Sequence, residues 1–213
     1  GKRALTKTLL RMIPRHKLYV EAFAGSAKLL FAKAPSQFEV VNDANGEITN
    51  FFRVCKHRPA ELAERMELEC IHAGRFRDLR ALEGSNIQSE IDRALRFAYL
   101  VWYSFGAKGQ HFASTHARTF RVKHPLTQVR KLLQQTASRL ANVLVEQRDF
   151  AEILERYDGA DTFFYLDPPY TRFQPNGRYM PLDPARRDEL FNALGSLKGK
   201  FLLSFDDCPE VRE

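Results

Sequence analysis

At 213 residues, with 44% hydrophobic and 28% charged side chains, the chain suits one folded domain carrying a sizeable insertion. No apolar run approaches the length of a membrane span and no signal peptide opens the sequence, so no membrane role and a cytoplasmic location are expected. Cys55, Cys70 and Cys208 are widely spaced and make no zinc or redox pattern, which suits a reducing compartment with the thiols as inert packing residues.

The net charge of +7 is localised. Between Asp92 and Glu146 there is no acid, while Arg93, Arg96, Lys108, Arg118, Arg121, Lys123, Arg130, Lys131 and Arg139 are basic. Outside that interval acids and bases nearly balance, so the whole positive excess sits in one quarter of the chain. Such a patch is the electrostatic footprint expected for a nucleic-acid backbone. A solvated basic face is the alternative.

In chain order, Leu5, Leu9, Leu10 and Ile13 recur at helical spacing, and Pro14 ends that helix. Residues 18–23 read as a first strand. Phe23-Ala24-Gly25-Ser26-Ala27 reads as a tight turn of small residues that lets backbone approach a ligand, leading into a helix ending near Lys33. Residues 38–41 form a second strand, closed by Asn42-Asp43-Ala44-Asn45. Asp43 follows the turn by about twenty residues, where a nucleoside-binding α/β unit places an acid on ribose hydroxyls. Capping of the next helix is the competing role.

Helices are expected over 45–57, 60–69, 74–83 and 90–104, with Gly84-Ser85-Asn86 as a loop. Phe97, Tyr99, Trp102, Tyr103 and Phe105 stand at helical spacing and are read as core rather than as a stacking platform. From Gly106 to His124 a loop or β-hairpin is expected, with Arg118, Arg121 and Lys123 near strand period. His111, His116 and His124 have no companion acid or cysteine, so no metal site is expected. A helix over 125–140 precedes a strand at 142–146, and Asp149-Phe150 opens a helix to about Arg156. An acid and a ring at a strand's carboxyl end could hold an adenine amine and face, or Asp149 could simply cap the helix.

Residues 162–166 are an apolar run without alternation, the pattern of a buried parallel strand. It stops at Asp167-Pro168-Pro169-Tyr170. The prolines cannot continue a ladder and hold the preceding residues extended, so a stiff loop projects Asp167 and Tyr170 from the strand's carboxyl end. That end is where open α/β sheets bind ligands. Residues 171–180 could fold over a substrate as a lid, and a helix at 184–194 and a strand at 200–204 follow. The abrupt start at Gly1 and the stop at Glu213 partway into another element suggest a fragment at both ends.

The motifs and their order resemble the N6-adenine-specific DNA methyltransferases of the DNA adenine methylase group. The resemblance runs from Gly1-Lys2 to the last residues. It implies a Rossmann-like α/β sheet dependent on S-adenosylmethionine, built from residues 1–57 and 142–213, with a helical and hairpin target-recognition insertion at 58–141. It places Lys2, Glu21, Phe23, Gly25, Ser26, Asp43, Asp149, Phe150 and Asp167 at the methyl donor. Ala27 departs from the family's second glycine, and Ala22 stands where proline is common. It makes Asp167, Pro168, Pro169 and Tyr170 the catalytic motif. The carboxylate and the Pro168 carbonyl would accept hydrogen bonds from a nucleobase amine, favouring a tetrahedral nitrogen. Tyr170 would stack on a base flipped out of the duplex. Lys108, Arg118, Arg121, Lys123 and Arg130 are the expected DNA contacts. Double-stranded DNA is the expected partner, with a restriction endonuclease a candidate companion, monomeric action, and no metal. Two rivals stand: ribosomal RNA guanine methyltransferases, which also carry an Asp-Pro-Pro-aromatic loop, and a non-catalytic nucleic-acid-binding module of the same fold.

Overall fold

The computed structural model describes residues 5–105, 109–113, 125–169 and 182–205. In order these form α1 (Thr6–Met12), β1 (Leu18–Glu21), α2 (Lys28–Ala32), β2 (Phe38–Asn42), α3 (Gly46–His57), α4 (Pro59–Glu67) and α5 (Ala73–Ala81). A 3-10 turn at Gly84–Asn86 leads to α6 (Glu90–Trp102), α7 (Leu126–Leu140), β3 (Val143–Glu146), α8 (Phe150–Tyr157), β4 (Thr162–Leu166), α9 (Pro184–Ser196) and β5 (Lys200–Leu203). Lys2, Lys108, Arg118, Arg121, Lys123, Tyr170 and the expected lid at 171–180 lie outside the described residues.

The described residues divide into two compact units, one running up to Gly46 and resuming from Asn142, the other from Glu47 to Ala141. The division falls between Gly46 and Glu47, at the start of α3. The first unit is a five-stranded sheet of order β3-β2-β1-β4-β5, and every pairing is parallel. The chain winds outward from β1 through β2 to β3, then crosses back to lay β4 on the other side of β1. This reversal makes the carboxyl ends of β1 and β4 the topological switch point, where an open α/β sheet has a crevice.

Side-chain alternation decides what covers each face. Val20, Ala22, Val40, Phe164 and Leu166 meet Phe150, Ile153 and Leu154 of α8 and Leu190 and Leu194 of α9 in one buried cluster. Tyr19, Glu21 and Phe163 point the other way, where Glu21 binds the amide of Leu30 in α2. All five residues of β4 are buried, as its unbroken apolar sequence requires.

The second unit is helical. α4 packs most extensively on α7 and also on α6, and α5 packs on α6. Tyr99 and Tyr103 are 0% and 4% exposed and belong to its core, but Phe105 is 77% exposed and stands apart from the other rings. Helix α6 stops two residues short of expectation because Ser104 pairs antiparallel with Phe112, with Phe105 N donating to His111 O and Ala113 N to Tyr103 O. Gly109 allows that return, with φ 71° and its amide on Ser104 Oγ. Among the described residues, no helix is long and apolar enough to cross a membrane.

Candidate active site

Four adjacent strands deliver their carboxyl ends to one edge of the first unit. After β1 the chain turns through Phe23-Ala24-Gly25-Ser26-Ala27, with Gly25 at φ 51° and Ala27 at φ 47°. Ala27 occupies the position before α2 in the left-handed region and is fully buried. It adopts the conformation a second glycine would have taken, at a cost glycine would not incur. Ser26 is exposed at the tip and Phe23 is half-buried behind it.

Asp43, just past β2, ties this turn in place. Its Oδ2 accepts from the Gly25 amide at 2.8 Å and its Oδ1 from the Asn45 amide at 2.9 Å. Asn42 before it is 1% exposed and joins three strand ends. Its Nδ2 donates to the carbonyls of Ala22 and Arg148 at 2.9 and 3.0 Å, and its Oδ1 accepts from Arg148 N at 2.8 Å. Sequence reading passed over Asn42, because an amide ending a strand carries no signal of what it will reach.

Glu21, the last residue of β1, is 1% exposed. Its Oε1 accepts from Tyr19 Oη and from Leu30 N, both at 2.7 Å. Burial pushes its carboxyl up to about 7, opposed by those two hydrogen bonds and assisted by the Asp167 charge. Burial and the Glu21 charge also push the Tyr19 phenol far upward. Lys33 lies 4.4 Å from the Tyr19 ring centre and forms a buried ion pair with Glu39.

β4 ends at Leu166, whose carbonyl accepts from Ser204 N at 2.8 Å, so β5 holds the strand right up to the acidic loop. Asp167 and Pro169 are half-buried and Pro168 is buried. Asp167 thus stands beside β1 at the switch point, its charge felt by Glu21.

Asp149 and Phe150 stand where β3 gives way to α8. Asp149 does cap the helix, its Oδ1 accepting from Ala151 N at 2.9 Å. Its Oδ2 accepts a hydrogen bond from Arg186 of α9. Burial would raise this carboxyl, but the Arg186 and Ala151 bonds outweigh it and hold it below the usual range. The Phe150 ring is 4% exposed, packed by Phe23 at 5.3 Å between centroids and covered by the Arg186 guanidinium at 4.3 Å. Arg186 is the group that sequence reading missed; only the fold brings it to residues so distant in the chain.

In the second unit, Arg130 is held by Glu67, with Nη2 to Oε2 at 2.7 Å and Nε to Oε1 at 3.1 Å. Arg93 is held by Glu47, and Arg96 donates to the carbonyls of Leu79 and Leu82. The acid-free interval is therefore less bare in space than in sequence. Among the described residues, no three His, Cys, Asp or Glu side chains group as a metal site.

A doubly wound parallel sheet with a left-handed small-residue turn, an acid tied to it and an acidic proline loop at its switch point defines a Rossmann-like α/β fold. The chain belongs to the D12 class N6 adenine-specific DNA methyltransferases, whose family model matches residues 1–213. The type II methyltransferase M1.LlaDCHI of Lactococcus lactis subsp. cremoris is 26% identical over 232 residues, spanning 100% of this chain and 81% of that protein. The chemistry is therefore adenine-N6 methylation of DNA with S-adenosylmethionine as donor, not guanine methylation of ribosomal RNA.

Proposed function

We propose that the first unit binds donor and target adenine along this edge and that the second unit selects the DNA site. The observation that carries the reading is the convergence of Gly25, Asp43, Asp149, Phe150 and Asp167 at the ends of four adjacent parallel strands. Gly25 and Ser26 present backbone at an open turn, Asp43 offers a carboxylate for ribose hydroxyls, and Asp149 and Phe150 offer an acceptor and a ring for adenine. These groups fit a purine nucleoside with a charged tail; Lys2 would meet that tail. When bound, S-adenosylmethionine supplies an electrophilic methyl group on a sulfonium centre.

Asp167 and the Pro168 carbonyl accept hydrogen bonds donated by the target amine, drawing the nitrogen toward a tetrahedral geometry with its lone pair exposed. Asp167 acts as an acceptor rather than as a general base, and the amine's delocalised lone pair is what makes this necessary. Pro169 holds the buried Pro168 extended and so restricts the direction of its carbonyl. Tyr170 would stack on the flipped base. Glu21 contributes from beneath, holding α2 through Leu30 rather than touching the donor.

In the second unit, Lys108, Arg118, Arg121 and Lys123 are assigned to double-stranded DNA, with Arg130 shared between DNA and Glu67. One copy suits an asymmetric target site. Likeness to a type II methyltransferase supports a role beside a restriction endonuclease.

Radiolabelled methyl transfer to duplex DNA tests the centre of this reading. Asp167→Ala is expected to lose about a hundredfold to a thousandfold in rate, the usual scale for removing one preorganised polar contact to the reacting group. Labelling at the parent rate would refute it.

A further inference from the structure

We propose that Arg186 is a latch on the adenine end of the donor site, competing with the incoming purine for the face of Phe150 and the carboxylate of Asp149. The inference rests on the assignment of Asp149 and Phe150 to the donor's adenine. Two independent observations lead to it. The Phe150 ring is 4% exposed, so a ligand can stack on it only if a neighbour moves. Phe23 belongs to the packing of the sheet's core, whereas Arg186 is a long side chain 34% exposed. Asp149, for its part, gives one oxygen to the Ala151 amide and the other to Arg186. Giving up the helix cap would leave the Ala151 amide unpaired, whereas Arg186 keeps a second partner in Glu189, so Arg186 is again the group that yields.

Arg186 has somewhere to go. Its Nη1 already meets Glu189 one helical turn on, at 2.5 Å, so a rotamer change keeps its charge paired. Its backbone stays put, because Asp183 Oδ1 caps α9 by accepting from Arg186 N at 2.9 Å. Only a ligand that brings its own hydrogen-bond donor to Asp149, as the exocyclic amine of adenine does, replaces what Arg186 gives up. The latch therefore favours an aminopurine over ligands that merely fill the space, and it lowers apparent affinity by the fraction of molecules in which it is closed.

The test is calorimetric titration of S-adenosylhomocysteine into the parent, Arg186→Ala, Glu189→Gln and the double variant, each checked by thermal unfolding. Arg186→Ala is expected to tighten binding about three- to tenfold, the scale of one exposed cation–π contact and one surface ion pair. Glu189→Gln removes the resting place and is expected to weaken binding about twofold to threefold, an effect that vanishes in the double variant because it acts through Arg186. Weaker or unchanged binding in Arg186→Ala overturns the latch, as does a Glu189→Gln effect that persists in the double variant. Phe150→Leu, with Phe150→Met as a second volume-conserving variant, tests the underlying assignment separately. If both fold and bind as the parent does, adenine does not sit at Phe150, whatever Arg186→Ala shows.

Discussion

The Asp43 carboxylate reaches from the end of β2 to the Gly25 amide of the neighbouring turn, 2.8 Å away, while its other oxygen holds Asn45 N. One side chain thus links the two loops that a nucleoside would bridge. Asp43→Ala is expected to weaken donor binding by about tenfold to a hundredfold, since a charge-assisted bond to a backbone amide is lost together with the carboxylate proposed for the ribose. Asp43→Asn keeps one acceptor and should fall between the two. Titration with S-adenosylhomocysteine measures this, and parent-like affinity in Asp43→Ala would remove Asp43 from the site.

Ala27 carries the turn's backbone strain. At φ 47° and ψ 37° it sits in the left-handed region, and its methyl group is fully buried. Ala27→Gly relieves about 1 kcal/mol of strain but gives back a similar amount in lost methyl burial. Its stability should therefore lie within about 1 kcal/mol of the parent. Ala27→Val places a β-branched side chain where neither the dihedral nor the packing admits it, and should cost about 2–4 kcal/mol. Urea denaturation distinguishes the pair; equal stability of the two variants would show that the turn relaxes freely.

What could be read before the fold was known divides along a physical line. Local signals placed the elements: the apolar run at 162–166 became β4, and the helix expected over 90–104 became α6, with Tyr99 on its buried face. Strand order could not be read, because nothing in residues 162–166 states that they lie beside 18–21. For the same reason Arg186 on Asp149 and Asn42 on Arg148 were invisible. The pairing of charges was hidden in a related way. The interval around Arg93, Arg96 and Arg130 contains no acid, yet Glu47 and Glu67 fold onto it from outside. Acid-free in sequence is not acid-free in space.

That folding-back makes a prediction about salt. Arg130 is already neutralised by Glu67, so Arg130→Ala should change the slope of log affinity for DNA against log salt by less than the unit expected for an unpaired phosphate contact. Glu67→Gln should release Arg130 and raise DNA affinity, most visibly at low salt. Fluorescence anisotropy with a labelled duplex at several salt concentrations reads both; a full-unit slope change for Arg130→Ala would mean the ion pair opens on DNA.

Glu21 should make stability depend on pH. Its carboxyl is pushed up to about 7 by burial, from an ordinary value of 4.5. The folded state therefore holds a proton that the unfolded state has lost between those values, and stability falls as pH rises through that window. Glu21→Gln removes the titration while keeping an acceptor for Tyr19 and Leu30. Relative to the parent it should gain stability from pH 5 to pH 8, by up to about 3 kcal/mol for a shift of that size. Chemical denaturation at the two pH values measures the change; a difference between variant and parent that does not move with pH would show that Glu21 is ionised throughout.

Asn42 offers the sharpest test of how the edge is held. Its amide is buried and donates to two carbonyls while accepting from a third backbone group, so Asn42→Ala leaves the Arg148 amide and two carbonyl oxygens without a partner. Unsatisfied buried polar groups cost about 1–3 kcal/mol each before relaxation, so a loss of about 2–4 kcal/mol is expected. Asn42→Asp is nearly isosteric but sets a carboxylate against the carbonyls of Ala22 and Arg148. At pH 8 it should be less stable than Asn42→Ala, because a buried unpaired charge costs more than a vacancy. Acidification should narrow the gap, since that carboxyl titrates above its unfolded value and its protonated form can donate to one carbonyl. Urea denaturation of both variants at pH 8 and pH 5 checks the order and its trend. If Asn42→Asp matched the parent at both pH values, the three strand ends would be held by something other than this amide.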